Sequence, residues 1–159
     1  MKLLVFSDSH REMTHMAQAV RQERPDTLLH LGDHIADAYR LREEFPTLPL
    51  CAVRGNCDWY DTEPEEALLR FGDFRLYLTH GHRQGVKTGL LRLRYTALEK
   101  GADVALFGHT HLPYCEKEQG VWLLNPGACG GVRPSYGVIR IEDGSIHCEV
   151  KEVYGRAAR

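Results

Sequence analysis

The chain lacks the features that would place it in a membrane, in a disulfide framework or on a strongly charged polymer. No apolar run approaches the roughly 18 residues of a membrane span, and the N-terminal apolar segment ends at Phe6, too soon for a secretory signal peptide. The five cysteines are odd in number and form no C-x-x-C pair, which favours reduced thiols. The net charge of -2 gives no general attraction to nucleic acid. We therefore expect a cytoplasmic globular protein with no membrane partner.

What the sequence does contain is a regular alternation of apolar runs and polar turns. The runs KLLVF, TLLHL and PLCAV, separated by two segments of helical spacing, predict parallel strands joined by helical crossovers. The first helix should begin near Met13 with Ser9 and Glu12 as a capping box. The second should run from about Ile35 to Phe45, where Pro46 stops it.

The second half predicts another sheet. Gly72-Asp73 predicts a hairpin turn between EALLRF and FRLYLTH. A helix should run from about Val86 to Lys100 and be capped by Gly101, followed by the strand DVALF and two further hairpins, the last turning at Asp143-Gly144. Without a linker or repeat, we predict one domain over residues 1–154 and a short tail over residues 155–159.

Polar side chains follow five of these strands, in the stretches SDSH, GDH, GNCD, THGH and GHTH. The carboxyl ends of strands in an α/β sheet face one crevice, so these side chains should meet there. They are Asp8, His10, Asp33, Asn56, His80, His82, His109 and His111. Carboxylates combined with imidazoles suit manganese, iron, zinc, nickel or cobalt.

Each stretch taken alone has an ordinary structural explanation. Asp8-Ser9-His10 could be a helix cap beside a surface histidine, and Gly32-Asp33 is more often a turn than a ligand. Turn propensity does not explain five such coincidences at successive strand ends. The combination therefore predicts a metal site.

These motifs, in this order, resemble the signature motifs of the calcineurin-like metallophosphoesterase superfamily. The stretches VRGNCD, LTHGH, GHTH and NPGA resemble its YfcE-type phosphodiesterase branch, to which a retromer subunit also belongs. The resemblance implies a four-layer α/β/β/α sandwich of two mixed sheets flanked by helices. It also implies two divalent transition-metal ions, Mn²⁺ first among them, with a metal-bridging hydroxide as the nucleophile.

The resemblance further implies a role for each ligand. Asp33 would bridge the two ions. The remaining ligands form two sets, one of Asp8, His10 and His111 and the other of Asn56, His80 and His109. A bridging carboxylate is compatible with two ions about 3.5–4 Å apart that clamp an in-line displacement.

Cys57 occupies the position where many superfamily members carry a histidine that can protonate the leaving group. A neutral thiol is a weak hydrogen-bond donor, so leaving groups of low pKa should be favoured. His82 or His34 could replace the missing acid, and Asp58 should fix the turn without being a ligand. Arg54 could contact a phosphate or form a surface ion pair.

We therefore predict a phosphodiesterase acting on small phosphodiesters, with Asp33, Asn56 and His82 as catalytic residues. The alternatives are a phosphomonoesterase or nucleotide pyrophosphatase using the same site, and a non-catalytic binding module on the same fold. Basic residues between Arg83 and Lys100 predict a solvated helix face, so a nucleic-acid partner is not expected. Trp122 and Tyr136 suit either an edge-to-edge homo-oligomer or core packing.

Overall fold

Strands and helices alternate along residues 1–155, the part of the chain that the computed structural model describes. The helices are α1 (Met13–Glu23), α2 (Ile35–Glu44) and α3 (Leu91–Glu99). The strands are β1 (Lys2–Phe6), β2 (Thr27–His30), β3 (Leu50–Ala52), β4 (Glu66–Phe71), β5 (Phe74–Thr79), β6 (Val104–Leu106), β7 (Tyr114–Glu118), β8 (Val121–Asn125), β9 (Ser135–Glu142) and β10 (Ser145–Glu152).

The strands form two mixed five-stranded sheets. The first has the order β10-β9-β1-β2-β3 and the second β4-β5-β6-β8-β7. Strands β1, β2 and β3 are mutually parallel, and so are β5, β6 and β8. The other strand pairs are antiparallel. The hairpins predicted to turn at Gly72-Asp73 and Asp143-Gly144 are confirmed by the pairing registers of β4 with β5 and of β9 with β10.

The alternation of side chains along β1 shows how the layers are built. Leu3 and Val5 belong to a core shared by both sheets, whereas Leu4 and Phe6 pack on the other face with α1 and α2. Helix α3 packs on the outer face of the second sheet through Leu93 and Ala97. The four-layer α/β/β/α sandwich is confirmed.

Helix α3 begins five residues later than its predicted start at Val86. Gly85 and Gly89 adopt positive φ, 64° and 156°, which a right-handed helix does not allow. The residues before α3 therefore form turns instead. Its predicted end is correct, because Gly101 has φ 64° and donates its amide to Leu98 O at 3.0 Å.

The predicted capping box at α1 is wrong. Glu12 is itself the N-cap and accepts a hydrogen bond from the amide of Thr14 at 3.0 Å. Ser9 instead donates its hydroxyl to Asp37 Oδ2 at 2.8 Å. A contact across 28 residues of sequence thus replaces the local one.

Of the two aromatic residues considered for a dimer edge, one is buried and the other is half-buried. Tyr136 is 1% exposed, and Trp122 packs against the shared core. No helix within residues 1–155 is both long and apolar enough to cross a membrane. The single-domain boundary stays a prediction, and residues 156–159 of the predicted tail lie outside the described residues.

Candidate metal centre

The predicted ligands lie on five loops that follow β1, β2, β3, β5 and β6. Backbone hydrogen bonds join neighbouring loops: Asp8 N donates to Gly32 O at 3.1 Å, and Gly108 N donates to His80 O at 3.0 Å. The amide of His109, on a loop of the second sheet, donates to Asp8 Oδ2, on a loop of the first sheet, at 3.1 Å, so the loops of both sheets meet at one edge of the sandwich. This is the convergence that the positions of the polar turns predict.

Two groups of ligating atoms come together at this edge, each with its atoms within 4.8 Å of one another. The buried group consists of Asp8, Asp33 and His80, and the exposed group of Asp8, His10 and His111. Asp8 belongs to both groups, whereas Asp33 belongs to one. The bridging role of Asp33 stays a prediction.

Asp8 has one carboxylate oxygen satisfied and the other free. Its Oδ2 accepts hydrogen bonds from Ser7 Oγ at 2.7 Å and from the amide of His109 at 3.1 Å. Its Oδ1 is buried, has no hydrogen-bond partner among the residues that the structure describes, and lies 3.2 Å from His111 Nε2. A buried carboxylate oxygen without a partner is costly, and a cation at this position would remove that cost.

His80 is oriented so that one ring nitrogen faces the carboxylates. Its Nδ1 lies 2.8 Å from Leu31 O, and because a carbonyl only accepts, Nδ1 carries the proton. Nε2 then faces the carboxylates, 3.4 Å from Asp33 Oδ2 and 3.9 Å from Asp8 Oδ1, and can bind a cation when it is deprotonated. A histidine fixed in this tautomer by a backbone carbonyl is typical of metal ligands.

The charges of the buried group also fit a cation. Burial lowers the pKa of His80, but Asp33 and Asp8 together outweigh burial and raise it. Burial raises the pKa of Asp33, but His80 and the amide of Cys57 hold it well below its usual range. The carboxylates therefore stabilise positive charge between them, which is the condition for binding a divalent ion.

The exposed group pairs two imidazoles. His10 Nε2 and His111 Nε2 are 3.3 Å apart, and the His111 side chain is 48% exposed. Burial is the main cause that lowers the pKa of His10. Its imidazole is thus neutral at neutral pH and available as a ligand.

His109 and His82 form a further imidazole cluster around His80. The ring centroid of His80 lies 5.1 Å from that of His109 and 5.6 Å from that of His82. Burial, followed by the charge of His80, lowers the pKa of both outer rings. Neither ring belongs to the two groups of ligating atoms, so both assignments stay predictions.

Asn56 and Cys57 lie at the exposed tip of the loop after β3. The Asn56 amide nitrogen donates to Cys57 Sγ at 3.6 Å, and the Cys57 backbone amide donates to Asp33 Oδ1 at 3.0 Å. Burial and then the charge of Asp33 raise the pKa of the Cys57 thiol. The Cys57 thiol is therefore protonated at neutral pH in the metal-free protein, and Asn56 stays a predicted ligand.

Asp58 organises the loop behind Asp33. Its buried carboxylate accepts hydrogen bonds from the amides of Asp33 at 2.8 Å, Gly55 at 2.7 Å and Ile35 at 3.0 Å. The prediction that Asp58 fixes the turn is confirmed. Gly55 is required there, because a Cβ at this position would collide with the Asp33 carboxylate.

The backbone is strained where the loops meet. Seven of the ten non-glycine residues with positive φ among residues 1–155 lie in these loops: Asp8, His10, Arg11, Asp33, His34, His109 and His111. Such conformations are uncommon, and Asp and His tolerate them better than most residues. Strain concentrated in this way is a known mark of functional sites.

Two supporting residues were not predicted. Asp37 is buried and accepts hydrogen bonds at Oδ2 from Ser9 Oγ and from the amide of Arg11, both at 2.8 Å. Asn125 donates to Gly108 O and to Thr110 Oγ1, both at 3.0 Å. The NPGA stretch was the available signal for Asn125, whereas no motif pointed to Asp37.

Arg54 and His34 are the two remaining candidates for contact with the substrate. Arg54 forms an ion pair with Glu65 at 3.2 Å. Of the two roles considered for Arg54, a phosphate contact or an ion pair, this contact is the ion pair. The His34 ring lies 5.1 Å from the His10 ring at the start of α2.

Comparison with known proteins decides the family. The profile of the calcineurin-like phosphoesterase superfamily domain matches residues 1–144. The chain belongs to this superfamily. The predicted resemblance and the predicted enzyme class, a phosphoric ester hydrolase, are thereby confirmed, and the family implies divalent metal ions.

Individual members of the superfamily are also similar to the chain. It is 36% identical over 151 residues to the probable metallophosphoesterase YsnB of Bacillus subtilis, covering 90% of this chain and 86% of YsnB. It is 36% identical over 122 residues to the phosphodiesterase YfcE of Escherichia coli, covering 62% and 61%. A predicted phosphoesterase from Streptococcus pneumoniae superimposes with a TM-score of 0.81 at 25% identity, covering 99% of this chain and 92% of that one.

Proposed function

We propose that this phosphoesterase hydrolyses small phosphodiesters and uses two divalent transition-metal ions, Mn²⁺ first among them and Ni²⁺, Zn²⁺, Fe²⁺ or Co²⁺ as alternatives. The observation that carries the proposal is a pair of buried atoms, Asp8 Oδ1 and His80 Nε2, that have no hydrogen-bond partner within residues 1–155 and lie where five loops converge. The phosphodiesterase names of relatives such as YfcE support the reaction class.

The candidate ligands are assigned to the two ions by their positions. Asp8, Asp33 and His80 would hold one ion in the buried group, and His10 and His111 would complete the exposed one with Asp8. Asn56 and His109 would supply further ligands, and Asp33 would bridge. When bound, the two ions supply the charge that activates water and offsets negative charge on the phosphate.

His82 is the residue we assign to the substrate. Its Nδ1 is buried and has no hydrogen-bond partner in the described part of the chain, and its ring lies 5.6 Å from that of His80. Because its pKa is lowered, chiefly by burial, the neutral ring can donate a hydrogen bond to a phosphate oxygen at neutral pH. Cys57 cannot efficiently protonate a leaving group, which favours diesters with leaving groups of low pKa.

Two alternatives use the same fold. A phosphomonoesterase acting on alkyl esters would need an acid for its leaving group, which the neutral Cys57 thiol supplies poorly, whereas a nucleotide pyrophosphatase releases a phosphate of low pKa and is compatible with the same site. A non-catalytic binding module would not need ligands, yet every predicted ligand position holds a residue able to coordinate a metal.

The test compares hydrolysis of bis-p-nitrophenyl phosphate with that of p-nitrophenyl phosphate by metal-stripped protein, with and without added Mn²⁺. We expect Mn²⁺-dependent cleavage that is faster for the diester. Faster cleavage of the monoester would establish the first alternative. No cleavage of either compound with Mn²⁺, Ni²⁺ or Co²⁺ would refute the proposal and favour the binding module.

A further inference from the structure

A groove of about 550 Å³ lies beside the candidate metal centre. Val86 and Leu90 line it from the loop after β5, and Phe107 and Leu112 line it from the segment after β6. Lys87 and Thr110 add one cation and one hydroxyl. We call it the apolar groove.

The apolar groove adjoins the loops that carry the predicted ligands. Thr110 lies between the predicted ligands His109 and His111, and Phe107 comes two residues before His109. Strands β5 and β6 are parallel neighbours, so the loops at their carboxyl ends lie side by side. A Cβ added to Gly81, the residue after His80, would lie 2.9 Å from Val86 Cγ2, so the groove wall rests on the ligand loop itself.

The chemistry of the groove differs from that of the centre. Its lining is mainly apolar, and Leu112 is 69% exposed beside polar ligands, a position that core packing does not explain. The volume lies within the range of about 300–1,000 Å³ typical of small-molecule sites. Lys87 adds one positive charge to the lining of the groove.

A second groove, which His82 lines, provides the contrast. It has about 530 Å³ and is lined by charged side chains, among them Arg54, Glu65 and Arg83. Arg54 and Arg83 both pair with Glu65 there. That groove suits a hydrated, polar group, whereas the apolar groove suits a flat apolar one.

We propose that the apolar groove binds the organic ester group of the substrate, so that the enzyme selects aromatic esters over methyl-sized ones. The phosphate would lie at the centre and the aromatic ring against Leu112 and Phe107. This inference rests on the proposed function, because the centre must first bind the phosphate.

The test uses phenylphosphonate and methylphosphonate, whose carbon–phosphorus bond does not hydrolyse. Their binding to the Mn²⁺-loaded protein is measured by isothermal titration calorimetry. We expect phenylphosphonate to bind about 10-fold more tightly, from burial of roughly half of the ring. In Leu112→Ser that preference should fall to about 3-fold, while methylphosphonate affinity stays unchanged.

Leu68→Ser is the matched control. Leu68 is 46% exposed on β4, at the opposite edge of the second sheet from β7, and its replacement should leave the preference intact. Equal affinity of the two phosphonates in the unaltered protein, or the same preference in both variants, would refute the proposed role of the apolar groove but not the proposed function. Failure of both phosphonates to bind would overturn the proposed function and this inference with it.

Discussion

The buried and exposed ligand groups share Asp8 but are built differently. In the buried group, Asp33 is 3% exposed and His80 0%, and neighbouring backbone groups orient both side chains. In the exposed group, His10 and His111 are open to solvent, and their ring nitrogens lie next to each other. The buried group is therefore the preorganised one and should bind its ion more tightly, whereas the exposed group lies where a substrate arrives.

The largest effect is expected from Asp8, because it belongs to both groups. Asp8→Asn removes the charge and keeps a side chain that tolerates the φ of 52°. Both ions should be lost on dialysis, and kcat/KM for bis-p-nitrophenyl phosphate should fall on the order of 10²–10³-fold. Metal content and hydrolysis are the measurements. Asp73→Asn, on a fully solvated turn, is the control, and an Asp8 variant that retains two ions would contradict the shared role.

Asp58→Asn should destabilise the loop that holds Asp33 in the buried group. An amide cannot accept all three of the hydrogen bonds that the carboxylate accepts from Asp33, Gly55 and Ile35. We expect a loss of about 2–3 kcal/mol in the free energy of unfolding, measured by urea denaturation of the metal-stripped protein. Asp73→Asn should cost less than about 0.5 kcal/mol; equal losses in the two variants would show that the Asp58 network is not stabilising.

His111→Asn should weaken metal binding by the exposed group and not by the buried one. The shorter side chain cannot reach the position of the imidazole Nε2, so the exposed group loses a ligand while the buried group keeps all of its own. We expect the weaker of two Mn²⁺ affinities to fall about 10–100-fold and the tighter one to stay unchanged, as measured by calorimetry. Loss of both affinities would mean that the groups act as one unit; His147→Asn on β10 is the control.

The smallest effect concerns His30, which lies beneath the buried group and interacts with Ser9 Oγ at 3.3 Å. Burial lowers the pKa of His30 to about 4, against about 6.5 in the unfolded chain. Between these values the unfolded chain binds a proton that the folded one does not, so stability falls as the pH falls. From pH 7 to pH 5 the loss should be about 2 kcal/mol.

The measurement is urea denaturation of the metal-stripped protein at both pH values. His30→Gln does not titrate and should remove most of that difference, whereas His147→Gln, at an exposed position, should not. An unchanged pH dependence in His30→Gln would show that other groups cause it.

Most of the fold and of the centre could be predicted because their signals are local. A buried parallel strand is a short apolar run, and its polar loop follows directly, as with Phe6 and Asp8. The start of α3 was missed because the apolar spacing that begins at Val86 continues through Gly89, whose φ is positive. The role of Ser9 was missed because its partner Asp37 is 28 residues away. The apolar groove was not foreseen for the same reason, since its walls come from two separate loops.

The convergence of both sheets on one centre has a mechanical consequence. Asp8 and Asp33 come from loops of the first sheet and His80 and His111 from loops of the second. An ion held by these side chains would act as a crosslink between the two halves of the sandwich. Its binding free energy then adds to the free energy of unfolding, so chelation should lower the melting temperature of the whole protein and not only its activity.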